Sequence, residues 1–506
     1  MVHPAMSGNF CLIFKYFSMS KGLPDRSNDF SAWYTQVVNR AGLADHGPVK
    51  GTMVIKPYGY QLWENIRDIF DRMIKKTGHV NAYFPLFIPK SFLAKEAEHV
   101  EGFAKECAVV THTRLKSDAE KGVVVDPESK LEEEIIVRPT SETVIWSMYK
   151  KWIQSYRDLP VLINQWANVV RWEMRTRLFL RTSEFLWQEG HTAHATPEEA
   201  EKETLDILEL YRQLAEDYLA IPVITGLKTD SEKFAGAERT YCIEAMMGDK
   251  RALQAGTSHN LGQNFAKAFD VTFQTQDNKE ELVWATSWGV STRLIGAVIL
   301  THGDDKGLRL PPKIAPIQLV IIPITKNEDE VKELKAYLKP ITKKLKESGI
   351  RIHEDWTSNS PGFKFNEWEM KGVPLRMEVG PRDVKEKKVV LVKRDDKEKL
   401  FMAINNILEP VQKLLEDIQL SLLEQARDFR DTNTHDVKDY TEFKDVINRG
   451  GFVRCGWNGD PHTEARIKEE TKATIRCIPF NEKPNGLDCI FTGEEAKHEV
   501  IFAKAY

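Results

Sequence analysis

Three separated segments carry residue types that suit a nucleotide and a small zwitterion. The first, residues 138–142, reads Arg-Pro-Thr-Ser-Glu. The Thr140 hydroxyl and the Glu142 carboxylate could bind an ammonium group together if the backbone is extended and both side chains face the same way. Alternatively, Thr140 or Ser141 could cap a helix that runs on through residues 143–152, and the local sequence by itself favours the cap.

Arginines dominate the second segment. An Arg-Trp-Glu triplet at residues 171–173 precedes a polar loop with Arg181 and Thr182, and an aromatic-rich strand follows at residues 185–191. This order predicts a hairpin lined with guanidinium groups, which bind phosphate oxygens through paired hydrogen bonds. The Arg-x-Glu pattern alone occurs too often by chance to identify a site.

Small residues and a histidine mark the third segment. Residues 254–260 read Gln-Ala-Gly-Thr-Ser-His-Asn, and residues 288–293 read Trp-Gly-Val-Ser-Thr-Arg. Small side chains let the backbone approach a ligand, and Arg293 at a helix start could meet a phosphate. Taken singly, His259 and Trp288 are more often structural residues than catalytic ones.

In this order, the segments resemble the three signature motifs of class II aminoacyl-tRNA synthetases. The wording RPTSE, VVRWE, EFLWQEGHTAH, QAGTSHNLGQ and KGVPLRMEVGPRD is similar to that of prolyl-tRNA synthetases of the archaeal and eukaryotic type, over about residues 29–506. Residues 83–85, Tyr-Phe-Pro, resemble the dimer-forming first motif, which implies a homodimer. Several independent matches at sensible spacing make the joint signal specific.

The resemblance implies a role for each matching position. Its catalytic residues would be Arg171 at the α-phosphate and the proline carboxylate, Glu173 at the adenine side, and Arg293 at the γ-phosphate. The implied ATP contacts are Arg171, Glu173, Arg181, Thr182, Phe185, Gln254, Thr257 and Arg293, with magnesium near Gln254 and Thr257. The implied proline contacts are Thr140, Glu142, Arg171, Trp187, His191, His259 and Ser291.

The implied reaction joins L-proline to ATP as prolyl-adenylate, releases pyrophosphate, and then moves proline to the 3′ end of tRNA(Pro). Such chemistry depends on positioning and charge neutralisation, which agrees with the lack of a Ser-His-Asp set. A threonyl- or seryl-tRNA synthetase on the same fold is a rival assignment. Its amino-acid site would be expected to contain a metal or a hydroxyl partner for the substrate side chain, and the sequence shows neither. A tRNA-binding paralogue without catalysis is disfavoured because the motif arginines persist, whereas activation of cysteine as well as proline stays open.

Hydrophobic periodicity predicts the elements that position these residues. Helices are expected at 58–76, 196–221 and 292–302, and strands near 221–227, 241–246 and 283–286. Residues 79–89 are expected to form one edge strand, because Pro85 and Pro89 do not suit a central strand. An edge strand invites a partner chain.

The length, the composition and a proline-rich joint predict the domains. A chain of 506 residues with 42% hydrophobic residues suits two to four domains. The predicted fold class is α+β: an N-terminal arm at 1–28, a class II catalytic domain with an antiparallel sheet at 29–310, an α/β anticodon-binding domain with a mostly parallel sheet at 311–409, and a small α+β C-terminal domain at 410–506. A Pro-rich joint at 310–316 marks the first border, and a helix carrying Leu400, Ile404 and Ile407 is predicted near the second.

RNA binding must use a local surface, because the formal net charge is −4. Residues 371–399 hold ten Lys and Arg against six Asp and Glu. Charge alone favours an ordinary solvated face. The resemblance instead implies anticodon contacts there, with these candidates: Lys371, Arg376, Glu378 and Arg382.

The C-terminal domain departs from the family pattern of four zinc-binding cysteines. Cys455 and Cys489 match, but Asp460 and Thr492 stand where the other two would fall. A structural zinc site needs four nitrogen or sulfur ligands, so zinc is predicted to be absent unless His462 substitutes for one ligand.

Two further expectations concern specificity and location. The segment between Arg171 and Arg293 leaves no room for the editing domain of bacterial relatives, so mischarging with alanine is an expected liability. The six cysteines form no disulfide framework, and the best N-terminal apolar run, residues 11–14, is too short for a bilayer. We therefore expect a cytoplasmic protein with no membrane association.

Overall fold

The computed structural model describes residues 22–93 and 106–506. Residues 1–21 of the predicted arm, with the apolar run at 11–14, lie outside the described residues. Within the described ranges, no helix is both long and apolar enough to cross a bilayer. The predicted fold class is confirmed: a sheet-rich catalytic part precedes an α/β domain and a small α+β domain.

The catalytic part combines strands of one large sheet with covering helices. Its described helices are α1 (Phe30–Arg40), α2 (Pro57–Lys76), α3 (Lys90–Leu93), α4 (Glu142–Trp152), α5 (Pro197–Gln213), α6 (Asn264–Phe269) and α7 (Arg293–His302). Its described strands are β1 (Ala44–His46), β2 (Met53–Ile55), β3 (Val80–Asn81), β4 (Phe87–Pro89), β5 (Ala108–His112), β6 (Leu115–Asp118), β7 (Gly122–Val125), β8 (Lys130–Val137), β9 (Val161–Val170), β10 (Glu184–His194), β11 (Val223–Leu227), β12 (Arg239–Met246), β13 (Ala252–Gly262), β14 (Thr272–Gln274), β15 (Glu280–Leu282) and β16 (Trp284–Ser291).

The two later domains are smaller. The second contains β17 (Leu319–Pro323), α8 (Glu328–Glu347), β18 (Ile352–Glu354), α9 (Pro361–Met370), β19 (Leu375–Val379), α10 (Pro381–Glu386), β20 (Lys388–Lys393) and β21 (Lys399–Ala403). The C-terminal part contains α11 (Leu408–Thr432), β22 (Thr434–Asp436), α12 (Tyr440–Arg449), β23 (Phe452–Trp457), α13 (Pro461–Thr471), β24 (Thr474–Pro479) and β25 (His498–Ala503).

One 11-stranded sheet joins the catalytic part to the C-terminal domain. Its order is β22-β23-β25-β24-β11-β12-β13-β16-β10-β9-β3. All its pairs are antiparallel except β22 with β23 and β3 with β9. The join is short, since β11 pairs with β24 only at Gly226 and Leu227. Sequence patterns predicted two separate domains here, and the shared sheet was not foreseen.

The predicted edge strand at 79–89 is only partly correct. Strand β3 does lie at the edge of the large sheet, but it ends at Asn81. Strand β4 belongs to a different three-stranded sheet, β4-β8-β5. The carbonyl of Phe84 between them accepts a hydrogen bond from the buried Arg138 side chain, and the amide of Phe84 donates to Gln165 at 2.6 Å. These side-chain partners take the place of ladder bonds.

Helix α5 begins as predicted, with the Thr196 side chain accepting a hydrogen bond from the Glu199 amide at 3.2 Å. It ends at Gln213, followed by a π-turn at Leu214–Tyr218, rather than continuing to residue 221. Because its buried face packs under β13 and β16, this helix supports the centre of the sheet.

The sheet of the second domain is mixed rather than mostly parallel. Its order is β18-β17-β19-β20-β21, and only the β17–β18 and β17–β19 pairs are parallel. The helix predicted from Leu400 exists but begins later, because Leu400 lies in β21 opposite Leu391 and α11 begins at Leu408. Leu400 and the helix do pack on the same core, which is why their apolar residues looked like one face.

Helix α7 ends at a buried histidine. His302 Nε2 lies 2.9 Å from the carbonyl oxygen of Leu219, to which it donates. Burial lowers its pKa from 6.5 to about 4. The unfolded chain therefore takes up a proton near pH 6.5, whereas the folded chain does so only near pH 4. The free energy of unfolding should fall as the pH drops through this window, by up to about 1.4 kcal/mol per pH unit.

We expect His302→Gln to show a shallower loss of stability with acid than the unsubstituted protein, because glutamine can still donate but does not titrate. Urea denaturation at a series of pH values measures this difference. An identical pH dependence in both proteins would contradict the assignment of this proton to His302.

Candidate active site

Strand β16 lies between β10 and β13, and the register of the three strands builds the floor of a cleft. Ser287 lies opposite His191 of β10 and His259 of β13. Gly289 lies opposite Glu189 and Thr257 in the same way. Successive odd-numbered positions share one face of the sheet, so these rows point together into the cleft, and the glycine in the middle leaves room for a ligand.

Two adjoining cavities occupy this cleft. The first has a volume of about 240 Å³, and its walls include every implied proline contact: Thr140, Glu142, Arg171, Trp187, His191, His259 and Ser291. Gln254 and Thr257 also line it. The second cavity has the same volume, about 240 Å³, and its walls include the remaining ATP candidates, Glu173, Arg181 and Thr182. Four residues line both cavities: Arg171, Phe185, Ser291 and Arg293.

The junction of the two cavities is rich in positive charge. The Arg171 guanidinium lies 5.6 Å from the Phe185 ring centroid and 5.4 Å from that of Trp187, and its Nε donates to the Pro139 carbonyl at 2.9 Å. Burial, together with the charges of Arg181 and Arg171, lowers the pKa of Arg293 to about 10. Arginines that repel each other in this way are suited to bind a polyanion, because its negative charges offset the repulsion.

The segment at 138–142 does not cap a helix with its hydroxyls. Helix α4 begins at Glu142, and the N-cap residue Ser141 makes no side-chain cap bond. Instead the Thr140 hydroxyl donates to Glu142, and the Ser141 hydroxyl donates to Glu189 at 2.5 Å. The backbone at Glu142 is helical rather than extended, yet Thr140 and Glu142 still meet on the cavity wall. The capping alternative is therefore only half correct: Ser141 occupies the N-cap position of α4, but its hydroxyl binds Glu189 instead.

A buried carboxylate supports the first cavity from below. Glu189 accepts a hydrogen bond from Gln165 Nε2 at 2.7 Å and lies 3.0 Å from His191 Nε2. Burial opposes the charged form of His191, but the Glu189 hydrogen bond and the charges of Glu142 and Glu189 outweigh it and raise the pKa of His191. Tyr149 fixes the same residue by donating to its carbonyl at 2.7 Å.

His259 occupies the opposite wall as a neutral ring. Its Nδ1 lies 2.9 Å from the Thr240 hydroxyl, and its ring lies 4.6 Å from that of Phe234. Burial lowers the pKa of His259 to about 4. The side chain can therefore take part in hydrogen bonding without carrying a charge near neutral pH.

Several buried polar atoms on the first cavity's walls have no hydrogen-bond partner among the described residues. They are Trp187 Nε1, His191 Nδ1 and Ser287 Oγ. Buried polar groups in folded proteins are nearly always satisfied, so such a concentration indicates a polar ligand. This cavity is thus built for a small molecule with donor and acceptor groups of its own.

Sequence reasoning missed Glu189 and the residues Glu232, Lys233 and Phe234, all of which line the first cavity. A signal for Glu189 was present: strand periodicity places it on the same face as Trp187 and His191. The other three come from the loop between β11 and β12, and no periodicity marks which loop residues face a cavity.

Gly190 is packed against the Trp288 indole. A Cβ at residue 190 would lie 2.1 Å from the indole ring, which packs in the core on the face of the sheet away from the cleft. We expect Gly190→Ala to destabilise the fold by roughly 1–3 kcal/mol, because the indole must shift. Thermal unfolding measures this effect. A variant with an unchanged melting temperature would contradict this packing argument.

The anticodon candidates lie in the second domain, away from the cleft. Arg376 and Glu378 share strand β19 and pair at 2.8 Å. Lys371 pairs with Glu367 at 2.9 Å, whereas the Arg382 side chain is 90% exposed and pairs with Glu386 at 3.2 Å. The structure therefore joins two of the four candidates directly.

The zinc-type positions of the C-terminal domain are used for other bonds. The Asp460 side chain accepts from the His462 amide at 3.0 Å as the cap of α13, and the Thr492 hydroxyl donates to Glu494 at 3.1 Å. Burial, together with the charges of Cys489 and Glu499, raises the pKa of Cys455. Within residues 22–93 and 106–506, no three His, Cys, Asp or Glu side chains are arranged to hold a metal ion.

Comparison with known proteins agrees with this arrangement. Residues 125–302 match the tRNA synthetase class II core domain (G, H, P, S and T), residues 318–414 match an anticodon binding domain, and residues 440–506 match the prolyl-tRNA synthetase C-terminal domain.

Three relatives that align over nearly the whole chain are bacterial proteins. A proline–tRNA ligase of Cytophaga hutchinsonii is 57% identical over 491 residues, which cover 96% of this chain and 100% of the relative. Those of Bacteroides fragilis and Flavobacterium johnsoniae are 58% and 56% identical, and each alignment covers 96% of this chain and 99% and 100% of the respective relative. The chain therefore belongs to the prolyl-tRNA synthetase family of class II aminoacyl-tRNA synthetases.

Proposed function

We propose that the first cavity binds L-proline and the second binds the nucleotide of ATP, with Arg171 at the junction contacting both. As a member of its family, the chain is a proline–tRNA ligase that forms prolyl-adenylate and then charges tRNA(Pro). The observation that carries the assignment is that Arg171 lines both cavities and lies between two aromatic rings. A group in that position can hold the proline carboxylate and the α-phosphate at once.

In the proposed activation step, an oxygen of the proline carboxylate attacks the α-phosphorus of ATP. An oxygen–phosphorus bond forms, the bond to the bridging oxygen breaks, and pyrophosphate leaves with the electron pair. Arg171 offsets charge at the α-phosphate, and Arg293 offsets it at the γ-phosphate. The carboxylate is already a nucleophile, so the step requires positioning and charge neutralisation rather than a protein base.

Amino-acid recognition is proposed to rest on Glu142 and Thr140, which meet on one wall of the first cavity. A carboxylate and a hydroxyl suit the secondary ammonium of proline. Trp187 and His259 lie on the same cavity and would enclose the ring, with His191 and Ser291 completing the pocket. Phe185 lies at the junction, where its face can stack on adenine, and Glu173, Arg181 and Thr182 line the nucleotide side.

Magnesium is proposed to bind with ATP near Gln254 and Thr257, which line the first cavity, so the ATP phosphates would extend from the second cavity into the first. Mg²⁺ commonly takes only one or two protein ligands and otherwise binds substrate phosphates and water. That mode fits a wall with side-chain oxygens but no three-carboxylate cage among the described residues. The ion would screen the phosphate charge that the arginines also meet.

The remaining assignments follow the resemblance. We place the catalytic domain at 29–310, the anticodon-binding domain at 311–409, with Lys371, Arg376, Glu378 and Arg382 as tRNA contacts, and the C-terminal domain at 410–506. Helix α11 crosses the last border, and its buried residues join the core of the second domain. We propose the archaeal and eukaryotic type on the wording of the motifs alone, whereas the three relatives compared above are bacterial.

A cytoplasmic homodimer without zinc completes the proposal. At the edge of the large sheet, Val80 is 61% exposed, and Tyr83, just past the end of β3, is 71% exposed, which suits a partner chain. Sedimentation of the purified protein would show a dimer. Metal analysis should find less than about 0.1 zinc per chain, because a closed structural site requires four ligands.

Equilibrium binding tests the two-cavity assignment. Thr140→Val keeps the side-chain shape but removes a hydroxyl of the first cavity, and we expect it to weaken proline about 10-fold while leaving ATP unchanged. Arg181→Met should do the reverse, because Arg181 lines only the second cavity. If Thr140→Val weakened ATP as much as proline, the assignment of the cavities would be wrong.

A further inference from the structure

One wall of the first cavity comes from a loop that joins β11 to β12. Glu232, Lys233 and Phe234 of this loop line the cavity, and the Phe234 ring lies 4.6 Å from His259. The loop thus forms one wall of the cavity beside β13, and its position affects how closely the cavity encloses a small ligand.

Helix α13 of the C-terminal domain holds this loop at two points. The Thr229 hydroxyl donates to Glu464 Oε1 at 3.0 Å, and both residues are buried, 3% and 2% exposed respectively. Lys468, one helical turn further on, pairs with Glu232 at 2.8 Å. Glu232 is itself one of the cavity-lining residues.

The first residue of the β11–β12 loop, Lys228, also contacts the C-terminal domain. The buried Lys228 ammonium donates to the Arg476 carbonyl at 2.6 Å and pairs with Glu244 at 2.7 Å. Arg476 also pairs with Glu244, at 3.0 Å. Residues 228–232 therefore meet the C-terminal domain repeatedly before the chain turns into the cavity.

We propose that helix α13 positions the β11–β12 loop, so that the C-terminal domain determines how tightly and how selectively the first cavity binds its amino acid. This inference rests on the proposed assignment of proline to that cavity. Lys468 and Glu464 touch no implied substrate contact, so they act through Glu232 and Thr229 as positioning residues. If the β11–β12 loop is anchored less firmly, binding of proline should weaken more than binding of the smaller alanine.

The contribution of each anchor follows from its burial. The Lys468 side chain is 55% exposed, so its pair with Glu232 should shift the loop equilibrium only about two- to fivefold. The bond between Thr229 and Glu464 is buried, and its loss leaves a carboxylate oxygen without that donor, so a larger shift of about fivefold or more is expected.

A double-mutant cycle tests the anchor in the full-length protein, using ATP–pyrophosphate exchange with proline and with alanine. We expect Lys468→Met to raise the KM for proline about threefold, with kcat and the KM for ATP nearly unchanged. The same substitution should have no further effect when Glu232→Gln is already present. Lys438→Met, an exposed lysine of the same domain, serves as the control.

Thr229→Val provides a second, shape-preserving variant. It should raise the KM for proline about fivefold, lower the preference for proline over alanine, and speed amide hydrogen exchange in residues 230–237. An equal effect of Lys468→Met in both Glu232 backgrounds, or an unchanged KM for proline in Thr229→Val, would overturn the anchor. Thr140→Val distinguishes failure of the anchor from failure of the cavity assignment. If Thr140→Val raises the KM for proline and the loop variants do not, only the proposed anchor is wrong. If Thr140→Val also has no effect, the assignment of proline to the first cavity is wrong as well.

Discussion

Arg171→Ala is expected to lower kcat/KM for proline-dependent ATP–pyrophosphate exchange by about 10²- to 10³-fold. The guanidinium lies where the two cavities meet, and it would offset charge that develops at the α-phosphate. Loss of one preorganised donor of this kind commonly has an effect of that size. Steady-state exchange kinetics with varied proline and varied ATP would measure it.

Two variants sharpen this prediction. Arg171→Lys keeps the charge but not the planar fork that can hold two oxygens, so most of the loss should remain. Arg382→Ala removes a highly exposed arginine of the second domain and should leave amino-acid activation unchanged. Equal activity of Arg171→Ala and the unsubstituted protein would remove Arg171 from the reaction.

Glu142→Gln is expected to raise the KM for proline about 10- to 100-fold and to leave the KM for ATP within about twofold. Glutamine has nearly the same shape but lacks the charge that would pair with the proline ammonium, and such charge-assisted bonds are the strong ones. Glu142 lines only the first of the two cavities, which is why the effect should be confined to the amino acid.

The matched control is Glu133→Gln, a change of the same type outside the cleft. Glu133 accepts a hydrogen bond from the Ser91 amide on the protein surface. It should leave both KM values unchanged. A Glu142→Gln variant that lost ATP binding and kept proline binding would show that the carboxylate serves the nucleotide instead.

Those residues of the site that belong to short sequence motifs could be predicted from the sequence. Arg171, Thr257 and Arg293 are far apart in the chain, yet each belongs to a short pattern whose order identified the family. The structure brings them to one cleft because β9, which ends beside Arg171, lies in the same sheet as β10, β16 and β13, in that order. Neighbouring strands in space are not visible in periodicity, so the residues of the cleft could be named but their contacts could not.

The features that the sequence did not predict correctly also have physical causes. Leu400 was placed on a helix because its spacing to Ile404 and Ile407 is helical, but the three reach one core from a strand and a turn. The prediction of a mostly parallel sheet was wrong because the six-residue helix α10 is short and the chain returns beside β19 in the opposite direction. The contacts of Glu464 and Lys468 with the β11–β12 loop join segments more than 200 residues apart, as the separations of 235 and 236 show, and no local pattern encodes them.

One cleft is proposed to activate proline with ATP, using charged side chains and no protein nucleophile. ATP–pyrophosphate exchange with proline, alanine, cysteine and threonine, in the unsubstituted protein and in Arg171→Ala and Glu142→Ala, tests this most directly. We expect exchange with proline that is lost in both variants, with weaker exchange for alanine and none for threonine. Exchange with none of the four amino acids, or full proline exchange in both variants, would contradict it.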